Sequence, residues 1–158
     1  MSVTGAPPPA WERGGYRLSS DPAEVDLDAV HRYLCEESYW AKGIPRETVA
    51  RSLAHSMPFT LRKDGAFAGF ARVTTDRATF AYLGDVFVLP AHRGLGLSKW
   101  MMACVQSHPD LQGLRRFLLA TRDAHGLYAQ FGFTPMKAPE RWMEVHQPEV
   151  YAATSGPT

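Results

Sequence analysis

Hydrophobic and polar positions change their period along this chain, and the changes divide it into three stretches. In the first, Tyr16-Arg17-Leu18 reads as a short strand, and Ser20-Asp21-Pro22 supplies a cap and a breaker ahead of a helix. Val25, Ala29, Val30, Tyr33 and Leu34 recur at helical spacing and give that helix one apolar stripe. Gly43-Ile44-Pro45 breaks the chain again. The spacing then predicts a second helix over 46–56, with Val49, Leu53 and Ala50 turned inward.

The middle stretch shortens its period to that of strands. Phe59-Thr60-Leu61-Arg62 and residues 66–75 flank Lys63-Asp64-Gly65, whose Asp-Gly pair is a hairpin signal. A turn at Thr74-Thr75-Asp76-Arg77 leads into a third strand over 79–88, rich in aromatic and β-branched residues. The last stretch alternates strand and helix. Leu97, Met101, Met102 and Val105 form a helical stripe ending near Ser107-His108-Pro109. Phe117-Leu118-Leu119-Ala120 is short and continuously apolar, as expected of a strand covered on both faces. A brief helix over 127–131 precedes Gly132-Phe133, and Trp142-Met143-Glu144-Val145 reads as a closing strand. Hairpins followed by strand–helix alternation predict a mixed α/β fold around one central sheet.

Composition narrows the class. The 158 residues fit one domain, and 45% hydrophobic with 21% charged residues is the balance of an ordinary globular chain. Residues 1–14, rich in Pro and Gly, and 151–158 read as flexible ends of a domain spanning 15–150. A net charge of +1 gives no electrostatic reason to expect nucleic acid. No stretch reaches the roughly 20 apolar residues that span a bilayer, and Met1 to Ala10 holds Pro7-Pro8-Pro9 rather than a leader's apolar run. Cys35 and Cys104 each fall inside an expected helix, which suits packed thiols in a reducing compartment. The expectation is a cytoplasmic protein without a membrane partner.

The densest chemistry lies between Val86 and Trp100. An apolar β-rich run stops at Pro90, crosses Ala91-His92-Arg93-Gly94-Leu95-Gly96, and enters the helix that begins near Leu97. That order aims backbone amides and a helix N-terminus at one point, which favours a phosphate there. The glycines allow close backbone approach, and Arg93 can add a charged fork.

These residues resemble the GNAT superfamily of acetyl-CoA-dependent N-acetyltransferases over roughly residues 16–146. The family's segment (Arg or Gln, two residues, Gly, one residue, Gly or Ala) falls on Arg93-Gly94-Leu95-Gly96-Leu97-Ser98, with the small Ser98 at its last position. Asp85-Val86-Phe87-Val88-Leu89-Pro90 looks like the family's central strand. Tyr128-Ala129-Gln130-Phe131-Gly132-Phe133 matches a tyrosine that stands four residues before Gly-Phe. The resemblance implies a mixed, mostly antiparallel twisted sheet, with splayed central strands and about four flanking helices. It implies acetyl-CoA as cosubstrate, its pyrophosphate on Gly94, Leu95, Gly96, Leu97 and Ser98, and its pantetheine arm along Val86, Phe87 and Val88. It further implies Tyr128 as the acid that protonates the departing thiolate, an oxyanion held by the amide of Phe87 or Val88, and direct transfer in a ternary complex. It is also compatible with a homodimer.

Asp85 is the leading candidate for the base that frees the amine, because a lone carboxylate inside an apolar strand is costly unless used or paired. The plainer reading pairs it with backbone or an arginine; some relatives carry a glutamate one position earlier, at Gly84 here. His125 is the alternative base, and Asp123 beside it reads more simply as a helix cap or a solvated group. Tyr39 and Trp40, beside Glu36 and Glu37, suit a cationic or aromatic amine, unless Trp40 is core. Cys104 reads as a packed thiol rather than an acetyl carrier. His31/Cys35 and Cys104/His108 offer only two ligands each, so no metal is expected. The favoured activity is acetylation of a small-molecule primary amine. The alternatives are a protein or peptide N-acetyltransferase and a non-catalytic CoA-binding module. The lack of Gly-x-x-x-x-Gly-Lys-Ser/Thr and of a third dinucleotide glycine argues against a nucleotide site.

Overall fold

The computed structural model describes residues 6–155. One six-stranded sheet runs in the order β1 (Ala10–Arg13), β2 (Tyr16–Ser19), β3 (Met57–Lys63), β4 (Ala66–Thr75), β5 (Phe80–Val88), β6 (Arg116–Leu119). Every neighbouring pair is antiparallel except β5 and β6, which are parallel. The fold class is as expected: mixed, mostly antiparallel, with five helices, α1 (Leu27–Arg32), α2 (Arg46–Ala54), α3 (Leu97–Ser107), α4 (His125–Ala129) and α5 (Val150–Ser155).

Two apolar clusters lie on the two faces. The larger joins Leu18, Phe59, Leu61, Val73, Ala81 and Leu83 to the α3 stripe of Leu97, Met101, Met102 and Val105, all buried. The smaller packs Val30, Leu34, Ile44 and Val49 from the α1–α2 region onto Phe70 and Phe87. The apolar stripes read from the sequence are therefore the ones that bury.

Four expectations are corrected. Ala10–Arg13, placed among the flexible residues, forms β1, because Trp11 packs on Phe59 with ring centroids 6.2 Å apart and its backbone pairs with β2. Residues 1–5 and 156–158 of the expected flexible ends lie outside the described residues; 150–155 are helical. The first helix is shorter and interrupted. Asp21 caps a 3-10 turn at Pro22–Glu24, α1 starts after Asp26 (which caps Ala29), and the chain widens into a π-helical turn over Tyr33–Glu37. Val25 thus lies outside α1. β6 is not covered on both faces: it is the sheet's last strand, exposed at Arg116 and half-buried over Phe117, Leu118 and Leu119. Finally, Trp142-Met143-Glu144-Val145 pairs with no strand, so the expected closing strand found no ladder among the described residues.

The feature that positions the site is a bulge in β5. Arg72 pairs with Gly84 and Phe70 with Phe87, so Asp85 and Val86 both oppose Ala71. Asp85 takes φ +52°, a left-handed conformation uncommon for any residue but glycine. The extra residue shifts the strand's alternation. Ala81 and Leu83 face the larger cluster before it; Val86 and Val88 do so after it, while Phe87 turns to the smaller one. Pairing with β6 covers only Phe80–Leu83, so β5 runs on past the bulge without a β6 partner and a gap opens between the two strands.

Candidate active site

The turn after β5 is built to meet an anion. Pro90–His92 forms one 3-10 turn, held by the Tyr16 hydroxyl bonded to His92 Nδ1 at 2.8 Å. Gly94 (φ +80°) and Gly96 (φ +73°) then take left-handed conformations open to them without strain. Gly96 is the N-cap of the eleven-residue α3, and having no side chain it leaves the first-turn amides uncapped. A Cβ built at either glycine meets no protein atom within 4 Å, so the space above both is open. Gly94, Leu95, Gly96, Leu97 and Ser98 thus present an unobstructed strip of backbone at a helix N-terminus, which fits a diphosphate. Arg93, expected as a phosphate fork, is engaged within the chain. Its Nε donates to the Val88 carbonyl at 2.9 Å and its Nη2 to the Tyr33 hydroxyl at 3.1 Å, so it ties the turn back to its strand.

Where β5 and β6 part, a cavity of about 540 Å³ is lined from both strands, by Gly84, Asp85 and Val86 on one side and Leu119, Ala120 and Thr121 on the other. The Leu89 amide donates to the Ala68 carbonyl at 2.8 Å. Alternation therefore turns the Phe87 amide toward β4 and those of Val86 and Val88 toward the gap. Of the two amides expected to hold an oxyanion, the geometry favours Val88. Gly69, opposite Val88, makes this register possible: a Cβ there would stand 2.7 Å from the Phe87 carbonyl oxygen.

Tyr128, on α4, lines this cavity and the adjoining one beneath it. Its ring is buried edge-on to Phe133, with centroids 6.0 Å apart. Burial, then the neighbouring Tyr39, raises the phenol above its ordinary value, so it keeps its proton at neutral pH. Its hydroxyl makes no hydrogen bond among the described residues.

Asp85 lies in the lining, and both its oxygens are engaged. Oδ1 accepts from Trp40 Nε1 at 2.8 Å and Oδ2 from Arg72 Nε at 2.9 Å. Arg72 also reaches the Ser56 and Thr74 hydroxyls. The paired reading of Asp85 therefore holds, and the pair clamps the bulge: the side chain at the strained residue is fixed from β4 and from the loop before α2. Trp40 is no core residue; it and Tyr39 are 41% and 53% exposed and meet edge-on at the cavity. Glu36 and Glu37 are exposed and do not line it.

Among the lining residues missed in the sequence are Arg72, Tyr82, Arg122 and His146. Arg122 rests its guanidinium 4.0 Å from the Tyr39 ring centre. Only strand register and loop closure place them, and the chain's local pattern carries neither. His125 lies on the other side of Tyr128, in the adjoining cavity, and is exposed. Asp123 caps nothing: Thr121 Oγ1 accepts the Ala124 amide, and Asp123 stands 3.5 Å from Arg122. Cys104 faces the core, where burial pushes its thiol up to about 11, as an inert packed thiol requires. His31 bonds the Ile44 carbonyl.

Comparison with known proteins agrees with this geometry. Residues 27–133 match the model of the acetyltransferase (GNAT) family. An assigned acetyltransferase of Gibberella zeae is 32% identical over 78% of this chain and 81% of its own. An assigned GNAT-family acetyltransferase from Xanthomonas campestris superposes with TM-score 0.86 at 52% identity, over 89% of this chain and 99% of that one. A predicted acetyltransferase of Clostridium acetobutylicum, solved with acetyl-CoA, shares the fold at TM-score 0.59 and 16% identity, over 83% of this chain and 94% of that one.

Proposed function

The chain belongs to the acetyltransferase (GNAT) family, and from that premise we propose that it moves the acetyl group of acetyl-CoA to a primary amine of a small molecule, by direct transfer in a ternary complex. The observation that carries the reading is a convergence. Val86 and the protonated Tyr128 line the cavity where β5 parts from β6, and the same strand runs on through Val88 into the open amide strip of 94–98.

Acetyl-CoA supplies an activated thioester carbonyl. The strip after Gly94 holds its pyrophosphate, and the Val86 and Val88 backbone orients the arm so that the thioester lies in the gap. The Val88 amide donates to the carbonyl oxygen as negative charge gathers there, a role in which one well-placed donor is worth about 3 kcal/mol. The amine attacks the carbonyl carbon, the carbon–sulfur bond breaks with its electron pair on sulfur, Tyr128 gives that sulfur its proton, and the proton shed by the acylated nitrogen restores the phenol. Asp85, in the lining, draws the ammonium form toward the gap and takes its proton before attack. Tyr39, Trp40 and Tyr82 wall the acceptor's path, and a cavity of about 540 Å³ is of the size that small ligands fill. We place the protein in the cytoplasm, following its cysteine usage.

The test is acetyl-CoA consumption, followed by thiol release, across polyamines, arylalkylamines, aminoglycosides, amino acids and short peptides. Turnover on one of the small-molecule amines is expected. Turnover confined to peptides would replace the acceptor class, and CoA binding without any turnover would leave a binding module.

A further inference from the structure

Charge in the acceptor cavity is lopsided. Apart from its tyrosines, the ionisable side chains that line it are Arg72, Asp85, Arg122 and His146. Asp85 is the one carboxylate among these described residues, and Arg72 already pairs with it at 2.9 Å. Glu36 and Glu37, which the sequence sets close to Tyr39, do not line the cavity. The charge left over is the Arg122 guanidinium, with the His146 imidazole as a further polar group on the same lining.

Arg122 follows Thr121 on the β6 side of the gap, and Asp85 stands on the β5 side. One wall connects them. The guanidinium lies 4.0 Å from the Tyr39 ring centre, the Tyr39 and Trp40 rings meet edge-on with centroids 5.0 Å apart, and Trp40 Nε1 donates to Asp85 Oδ1 at 2.8 Å. A cation and a carboxylate are thus set two aromatic rings apart along the same surface. A cation over a ring face uses none of its N–H donors, and Arg122 makes no hydrogen bond among the described residues. Its ion pair with Asp123, at 3.5 Å between side chains 64% and 72% exposed, is of the solvent-screened kind that contributes little. The guanidinium fork is therefore available to an anion in the cavity.

We propose that the acceptor is a small amine that also carries an acid group, and that Arg122 is the residue that selects it. The proposal rests on reading this cavity as the acceptor's. The amine lies toward Asp85 and the gap between β5 and β6. The carboxylate or phosphate oxygens accept two N–H bonds from the Arg122 fork, the geometry in which arginine binds such groups most tightly. The stem between the two groups runs over Tyr39 and Trp40. The same arrangement disfavours a diamine, whose second ammonium would meet Arg122 as a like charge. Arg122 thus sets which amine enters and takes no part in the acetyl transfer.

The test reads binding, so it does not depend on turnover. NMR titration of the full chain with excess CoA compares propylamine with γ-aminobutyrate and aminopropylphosphonate, and tyramine with tyrosine. In at least one set the acid-bearing amine should bind about tenfold tighter than the amine without the acid, roughly what one charge-assisted pair contributes. The two propyl acids tell carboxylate from phosphate. Arg122→Gln should bring that ratio to within about twofold, and Arg122→Lys, which keeps the charge without the fork, should hold part of it. Circular dichroism of both variants should stay that of the wild type, because the side chain is exposed. No preference in any set, or a preference that survives Arg122→Gln, would overturn the proposal. Replacing CoA by acetyl-CoA separates it from the catalytic reading. Preferred binding without acetylation removes that reading alone, and acetylation of the plain amines without preferred binding removes this one alone.

Discussion

At the scale of single residues, the site depends on one side chain that keeps a proton and one that holds a strained backbone. Tyr128 gains its proton-holding character from burial beside Phe133 and Tyr39. Tyr128→Phe should leave acetyl-CoA affinity by calorimetry near that of the wild type and lower kcat on the order of a hundredfold; full turnover in the variant would remove Tyr128 from the acid's role. Asp85 has two jobs that two readouts of one substitution tell apart. Asp85→Asn keeps an acceptor for Trp40 but turns an amide toward Arg72, which is 22% exposed at its side chain. Breaking such a pair should cost roughly 3 kcal/mol in chemical denaturation. If Asp85 also takes the amine's proton, the acidic limb of the pH–rate profile flattens in the same variant; an unaltered limb moves the base elsewhere. The identities of both residues were legible in the sequence, Tyr128 from its distance to Gly132-Phe133 and Asp85 from its apolar surroundings. Their partners were not, because Arg72 meets Asp85 only through the β4–β5 register.

At the scale of elements, the turn and helix α3 were readable because everything that shapes them is local: a proline, two glycines and a stripe of four apolar residues. The bulge of β5 was not, since an extra residue shows only against the strand that opposes it. The closing strand was misread for a related reason. Trp142 to Val145 is apolar at three of its four positions, and that says nothing about whether a partner is within reach. Two glycines test this level. Gly96→Leu should abolish acetyl-CoA binding, as the new side chain enters space that no protein atom claims; unchanged affinity would place the pyrophosphate elsewhere. Gly69→Ala should lower the denaturation midpoint by an amount equivalent to about 2 kcal/mol, because the Phe87 carbonyl must move to admit the methyl group. Unchanged stability would mean that the end of β5 is looser than its register implies.

At the scale of the molecule, the two faces of the sheet carry separate apolar clusters, and the larger contains a titratable group. His108 is buried between Phe59, Trp11 and Leu111, and its Nδ1 accepts the Asp110 amide. Burial lowers its affinity for protons below the ordinary value of 6.5, against the smaller opposing pull of Asp110. The unfolded chain therefore binds that proton more readily than the folded one, so stability is fully present above pH 6.5 and declines as pH falls below it. The urea midpoint should drop between pH 7.5 and pH 5 by more than in a His108→Asn variant, whose side chain keeps an acceptor near the Asp110 amide; parallel profiles would show that His108 does not contribute.

The bulge at Asp85 also acts as a reading frame. Odd-numbered side chains enter the larger cluster before it and even-numbered ones after it. If the bulge straightened with no residue lost, strict alternation would turn Phe87 away from Tyr33 and Phe70, ejecting the ring that joins the first helices to the sheet. Removing one residue between Leu83 and Phe87 would instead keep the ring in place and dispense with the bulge, so the extra residue serves Asp85 and the cavity it lines.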